Sequence, residues 1–138
     1  MQGLVTAMPL TTRLAVHVLA VDPDRRILLD ADGSASPMEW GMPSRLLDVG
    51  EDPSVVARRL VLDAGSVPAT RAEVIDLESR VDADTHVVHL VFECGAEPYR
   101  AGDGRSLWWS LEEIVGLRLG QRTRKALASR WSMIWPDT

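Results

Sequence analysis

The sequence predicts a single mixed α+β domain with helices packed on an antiparallel or mixed sheet. Three observations predict it. The chain has 138 residues, the size of one domain with one core. Two runs, 13–21 (RLAVHVLAV), rich in Val and Leu, and 85–94 (THVVHLVFEC), with β-branched residues and an aromatic, read as strands. Two further segments carry the punctuation or the 3.6-residue period of helices.

Residues 1–11 show no clear period and contain Pro9, so they read as a tail or a loose first strand, with the domain at 12–135. After the first strand, Asp22-Pro23-Asp24 is a turn in which the Asp side chains can cap backbone amides. A short strand at 26–29 closes a hairpin, and 30–37 is a loop rich in Asp, Gly and Ser. Residues 39–52 give few regular signals. They lead into a helix with Asp52 as N-cap, Pro53 at the first helical position and Gly65 as the stop. Residues 73–80 read as a strand, followed by the stronger strand 85–94, a loop at 95–104 and a short strand at 107–109. Ser110 caps a helical turn. The last helix covers Gln121–Ile134, and Leu127, Trp131, Ile134 and Trp135 share one face.

Composition narrows the function classes. Apolar residues make up 46% and charged residues 25%, which argues against disorder. No apolar run approaches the roughly 18–20 residues of a bilayer span. No basic region precedes a long apolar stretch, so no secretory signal is expected and a cytoplasmic location fits. The lone Cys94 excludes an internal disulfide framework and a thiolate zinc cluster. A net charge of −5 disfavours a nucleic-acid polymer as partner. Arg118, Arg122, Arg124, Lys125 and Arg130 form a basic stretch that either meets a phosphate or an acidic partner, or balances the acidic body as a solvated helix face.

The segment 40–67, WGMPSRLLDVGEDPSVVARRLVLDAGSV, resembles the signature of the Nudix (MutT-like) hydrolase family. Trp40, Pro43, Gly50, Glu51, Arg59 and Asp63 match that pattern in register. The flanks agree as well: a first strand and "ILL" precede it, and Trp108-Trp109-Ser110-Leu111-Glu112-Glu113-Ile114 looks like a late segment of the family. The resemblance covers roughly residues 12–131 and implies a Nudix-like α/β/α sandwich with a mixed sheet. The departures are specific. Ser44 and Arg45 replace two glycines, Leu60 and Ala64 replace two glutamates, Asp63 replaces a third, and Arg105 stands where a late Glu is common. The closing glycine is either Gly65, one position early, or Ser66 in strict register.

By resemblance, the activity is hydrolysis of nucleoside diphosphate derivatives with Mg2+ or Mn2+. That chemistry needs hard oxygen ligands on one surface to hold the cation and orient water. The i, i+3, i+4 face of the helix would supply them, but here it reads Leu60, Asp63, Ala64. The catalytic candidates are therefore Glu51, Arg59 and Asp63, with Asp63 and Glu51 as metal ligands. The resemblance implies that Glu51 pairs with Arg59 and locks the loop. The alternative for Asp63 is a solvated helix residue. Arg45 and Trp40 are the ligand-binding candidates. Arg45 would bring positive charge in place of a metal, or else point to solvent or pair with Asp48. Trp40 would stack on a base, or pack beneath the loop.

Elsewhere, His17 reads as a satisfied core histidine, and His86 and His89 face opposite sides of their strand. Glu93 and Glu97 are displaced-base candidates, with surface carboxylates as the alternative. One of Trp108 and Trp109 should enter the core, leaving the other for a base or a homodimer contact. Two functions follow from the resemblance. One is a hydrolase with a degenerate metal site and weak or absent activity, using Mg2+ or Mn2+ if active. The other is a non-catalytic module, without cofactor, that binds a small nucleotide or phosphate ligand or a protein partner. Neither involves a membrane.

Overall fold

The computed structural model describes residues 11–32, 34, 36–98 and 108–137. The tail assigned to 1–11 lies outside these residues except for Thr11, which already belongs to the first strand. The described chain runs β1 (Thr11–Val21), β2 (Ile27–Leu28), β3 (Asp30–Asp32), β4 (Glu39–Gly41), β5 (Ser44–Leu46), α1 (Pro53–Gly65), β6 (Ala69–Asp82), β7 (Thr85–Ala96), β8 (Trp108–Trp109), α2 (Leu111–Ile114) and α3 (Gln121–Ile134).

The main sheet has the order β6-β7-β1-β2-β8, with β5 also pairing with β1. It is mixed. β1 and β7 run parallel from Thr11↔Thr85 to Val21↔Gly95, whereas the other ladders are antiparallel. The period-2 alternation of β1 divides its side chains between two cores. Val16, Val18 and Ala20 join Phe92, Cys94 and Trp108 beneath Val56, Ala57 and Val61 of α1. Leu19 joins Ile27, Leu29 and Val91 beneath Ala126, Leu127 and Ile134 of α3. Helices therefore cover both faces of one sheet, as the α/β/α expectation requires.

Local chemistry accounts for the element ends. Asp22 accepts hydrogen bonds from the Asp24 and Arg26 amides at 3.0 and 2.8 Å, which closes the β1–β2 turn. Asp52 caps α1 by accepting from the Ser54 amide at 2.9 Å. The stop of α1 differs from expectation. Gly65 is still helical, and Ser66 adopts the left-handed conformation with φ 63°. Gly65 is small because Trp108 passes over it: a Cβ there would lie 2.8 Å from the indole, whose Nε1 donates to the Gly65 carbonyl at 2.9 Å. Ser110 and Glu113 form a reciprocal capping box at α2.

Strands appear in the segment read as loop at 30–37 and in 39–52, which gave few regular signals. Asp30–Asp32 and Glu39–Gly41 form a small hairpin, and Ser44–Leu46 adds to β1. The β6–β7 hairpin is longer than expected and extends past α1. Beyond the helix, Val74, Leu77 and Val81 of the edge strand β6 are more than half exposed. No helix among the described residues is long and apolar enough to cross a membrane.

Candidate functional site

The ladder between β5 and β1 sets Arg45 opposite Val16, which places it on the α1 side of the sheet. From there Arg45 Nη2 donates to Glu51 Oε2 at 2.5 Å, and Nη1 donates to the Leu46 carbonyl at 2.9 Å. Glu51 Oε1 accepts from the Asp48 amide at 2.7 Å. One glutamate thus closes the loop on both sides. The Arg45 hydrogen bond, then the Asp48 amide, hold the Glu51 carboxyl below its ordinary range, and the charges of Arg45 and Arg59 add to this. Arg45 is held more firmly protonated, first by its hydrogen bond to Glu51 and further by the charges of Glu51, Asp48 and Asp63.

This corrects two expectations. The partner of Glu51 is Arg45, and Arg59 acts on it only through its field. Arg45 is neither solvent-directed nor bonded to Asp48. The reason is reach: β5 carries Arg45 to the mouth of the loop, where a glycine would have left Glu51 open to the helix.

Along α1, Leu60 and Ala64 are half-buried and pack against the core, while Asp63 is exposed. Among the described residues no three His, Cys, Asp or Glu side chains gather in a way that could hold a metal ion. A hard divalent cation takes about six oxygen ligands, some of them waters. Among the described residues the α1 face offers one carboxylate, Asp63, and each Glu51 oxygen already accepts a hydrogen bond from a protein donor, a set that does not fit Mg2+ or Mn2+.

Trp40 stands apart from Arg45. It is half-buried and packs against the core beneath α3, with its ring edge-on to Trp109 at a centroid distance of 4.8 Å. Its amide donates to the Arg118 carbonyl at 2.8 Å, and its carbonyl accepts from Gly120 at 3.0 Å. It lines a cleft of about 340 Å3 with Asp30, Asp32, Glu39 and Ser44. Trp108 is buried under α1, as one of the two tryptophans was expected to be, whereas Trp109 packs on Trp40.

Sequence reasoning missed two polar clusters on the α3 side. His17 Nε2 and His89 Nδ1 lie 2.9 Å apart across the parallel β1–β7 ladder. Burial, then the charges of Arg122 and His89, push His17 down to about 4. Burial and Arg122 also lower His89. Glu93 is no surface carboxylate. It is 5% exposed, with Oε1 accepting from Arg130 at 2.7 Å and Oε2 from Arg71 at 3.1 Å. Burial pushes its pKa up, but the two guanidinium hydrogen bonds and charges outweigh burial and hold it below the ordinary value. Glu97 is exposed beside Pro68, whose carbonyl accepts from its amide at 3.1 Å. Cys94 is buried and its thiol is pushed up to about 12 by burial, which excludes a nucleophilic thiolate. Most of the basic stretch turns to the acidic body: Arg118 to Glu39, Arg122 to Glu78, Lys125 to Asp76 and Glu78, and Arg130 to Glu93.

No family model matches the sequence, and no curated protein matches it. Solved structures match its fold. A Nudix hydrolase from Nitrosomonas europaea superposes with a TM-score of 0.63 at 16% identity, covering 91% of this chain and 90% of that one. A MutT Nudix hydrolase from Burkholderia pseudomallei gives 0.61 at 22%, covering 86% and 97%. A structure described as an ADP compounds hydrolase gives 0.65 at 18%, covering 91% and 75%. The chain has the Nudix fold.

Proposed function

We propose that this Nudix-fold chain holds a small phosphorylated ligand, a nucleotide or a related compound, without metal-dependent hydrolysis. The observation that carries this reading is the Arg45–Glu51 ion pair, 2.5 Å long, at the mouth of α1. Splitting a phosphoanhydride needs a cation that orients and activates water. A guanidinium supplies positive charge but does not coordinate water in that way. Of its five N–H donors, two are spent on Glu51 and Leu46, and the rest remain for phosphate oxygens. Leu60 and Ala64, packed inward, support the same reading. One fold neighbour, an ADP compounds hydrolase, favours a nucleotide derivative as the ligand. Trp40 is assigned to packing against Trp109, because the cleft it lines carries Asp30, Asp32 and Glu39 and repels phosphate.

The test is incubation with ADP-ribose, dinucleotide and nucleoside triphosphate panels under Mg2+ and Mn2+. The expected result is no product, with thermal stabilisation by at least one compound that is lost in Arg45→Ala. Metal-dependent turnover that disappears in Asp63→Ala would overturn the reading. In the opposite direction, the triple variant Arg45→Gly, Leu60→Glu, Ala64→Glu should bind Mn2+ in calorimetry where the parent chain does not.

A further inference from the structure

The exchange of partners at Glu51 leaves Arg59 with no carboxylate in ion-pair reach among the described residues, and the adjacent Arg58 has none either. The chain is otherwise acidic, and Arg25, Arg26, Arg45, Arg71, Arg118, Arg122, Lys125 and Arg130 each sit within 4.0 Å of an acidic group. Arg13, Arg80 and Arg124 also lack such a partner among the described residues, but Arg58 and Arg59 are adjacent and share a cavity. The outer face of α1 and the entry to β6 enclose a cleft of about 390 Å3 lined by Arg58, Arg59 and Asp63 with Val55, Leu62 and Pro68. Arg58 Nη1 reaches the carbonyl of Ala69 on the far wall at 3.4 Å, which holds that side chain across the cleft. Val55 and Leu62 are more than half exposed and form an apolar wall.

We infer that this cleft is a binding site for a soluble phosphate monoester with an apolar or aromatic body. The volume lies in the range of small-molecule sites, about 300–1,000 Å3. Two guanidiniums match a phosphate dianion, with forked N–H donors facing its oxygens. Asp63 on the rim reduces the net positive charge, so the site selects one phosphate group over a polyphosphate. The apolar wall rewards an ester over the bare ion. The site lies on the outer face of α1, away from the Arg45 donors; it shares Asp63 with the residues probed under the proposed function, and it rests on that reading through the Arg45–Glu51 pair, which leaves Arg59 without Glu51 as its partner.

The test is a 1H–15N titration of the whole chain with phenyl phosphate, inorganic phosphate and benzyl alcohol. Phenyl phosphate should shift the amides of Val55, Arg58, Leu62 and Ala69 saturably, and bind about tenfold more tightly than either reference compound. Arg58→Gln with Arg59→Gln should lose that affinity while keeping the parent circular dichroism and thermal midpoint, since both side chains are exposed. Arg45→Gly should weaken binding severalfold, because Glu51 then recaptures Arg59. Unchanged affinity in the double glutamine variant, shifts centred away from α1, or binding only to phosphatidic acid vesicles would overturn the inference. Metal-dependent nucleotide hydrolysis with phenyl phosphate still bound at Arg58 and Arg59 would sink the proposed function and leave this site standing.

Discussion

His17 makes the fold sensitive to pH on the acid side of neutrality. Its imidazole is held neutral in the folded state, down to about 4, by burial and by Arg122. The unfolded chain protonates it near 6.5, so between these values the unfolded state binds more protons. Stability therefore falls as pH drops from about 6.5 toward 4, and the contribution levels off below that. The urea midpoint should decline between pH 7 and pH 5, and this decline should shrink in His17→Gln. Glu93 also weakens the fold on acidification, but because its charged form is the one the folded state favours. Its pKa is depressed, so its stabilisation is present above the ordinary value of 4.5 and lost as pH falls below it. Glu93→Ala should cost about 2 kcal/mol in denaturant melts, less than a fully buried pair because Arg71 and Arg130 remain partly in water. Neither cluster was legible in the sequence. His17 and His89 meet only through the parallel β1–β7 register, and Glu93 meets Arg130 only because α3 crosses the sheet. Glu51, by contrast, was legible as a loop lock, but its partner was not, since the Arg45 approach depends on a three-residue strand that leaves no period.

α1 shows how much of an element local chemistry determines. Asp52, Pro53 and the breaker-free run behind them placed its start before any tertiary contact was known. Its end lies one residue past the expected stop at Gly65, because two different demands act on neighbouring residues. Gly65 answers to the Trp108 ring, and Ser66 answers to a left-handed turn. The two substitutions separate them. Ser66→Gly should raise stability by about 1 kcal/mol, since a non-glycine residue at positive φ is strained. Gly65→Ala should lower it by about 1–3 kcal/mol through overpacking against the indole. Thermal melts of both variants check the pair. The strands β3, β4 and β5 escaped notice for a complementary reason: three residues are too few for an alternation to register, and their stability comes from the partner strand.

At the scale of the molecule, the sheet is built around β1. That strand pairs with β7 along its whole length, and its other edge is shared between β5 at Ala15–His17 and β2 at Val21. Both cores lean on it. Amide exchange should be slowest at 16–20 and 91–94, and faster along β6, whose outer edge has no partner among the described residues. Equal protection in β6 and β1 would contradict this architecture. The two-layer helix cover was legible from the long strands and the two punctuated helices, and the mixed sense of the sheet followed from the family pattern. The same outermost strand bears on how the protein behaves at high concentration. Val74, Leu77 and Val81 make it a tempting template for strand addition and fibril growth. Glu73, Asp76, Glu78 and Arg80 interleave with them, so stacking identical chains in register would set like charges against like. Replacing these four with serine should turn a well-behaved solution into one that scatters light on storage.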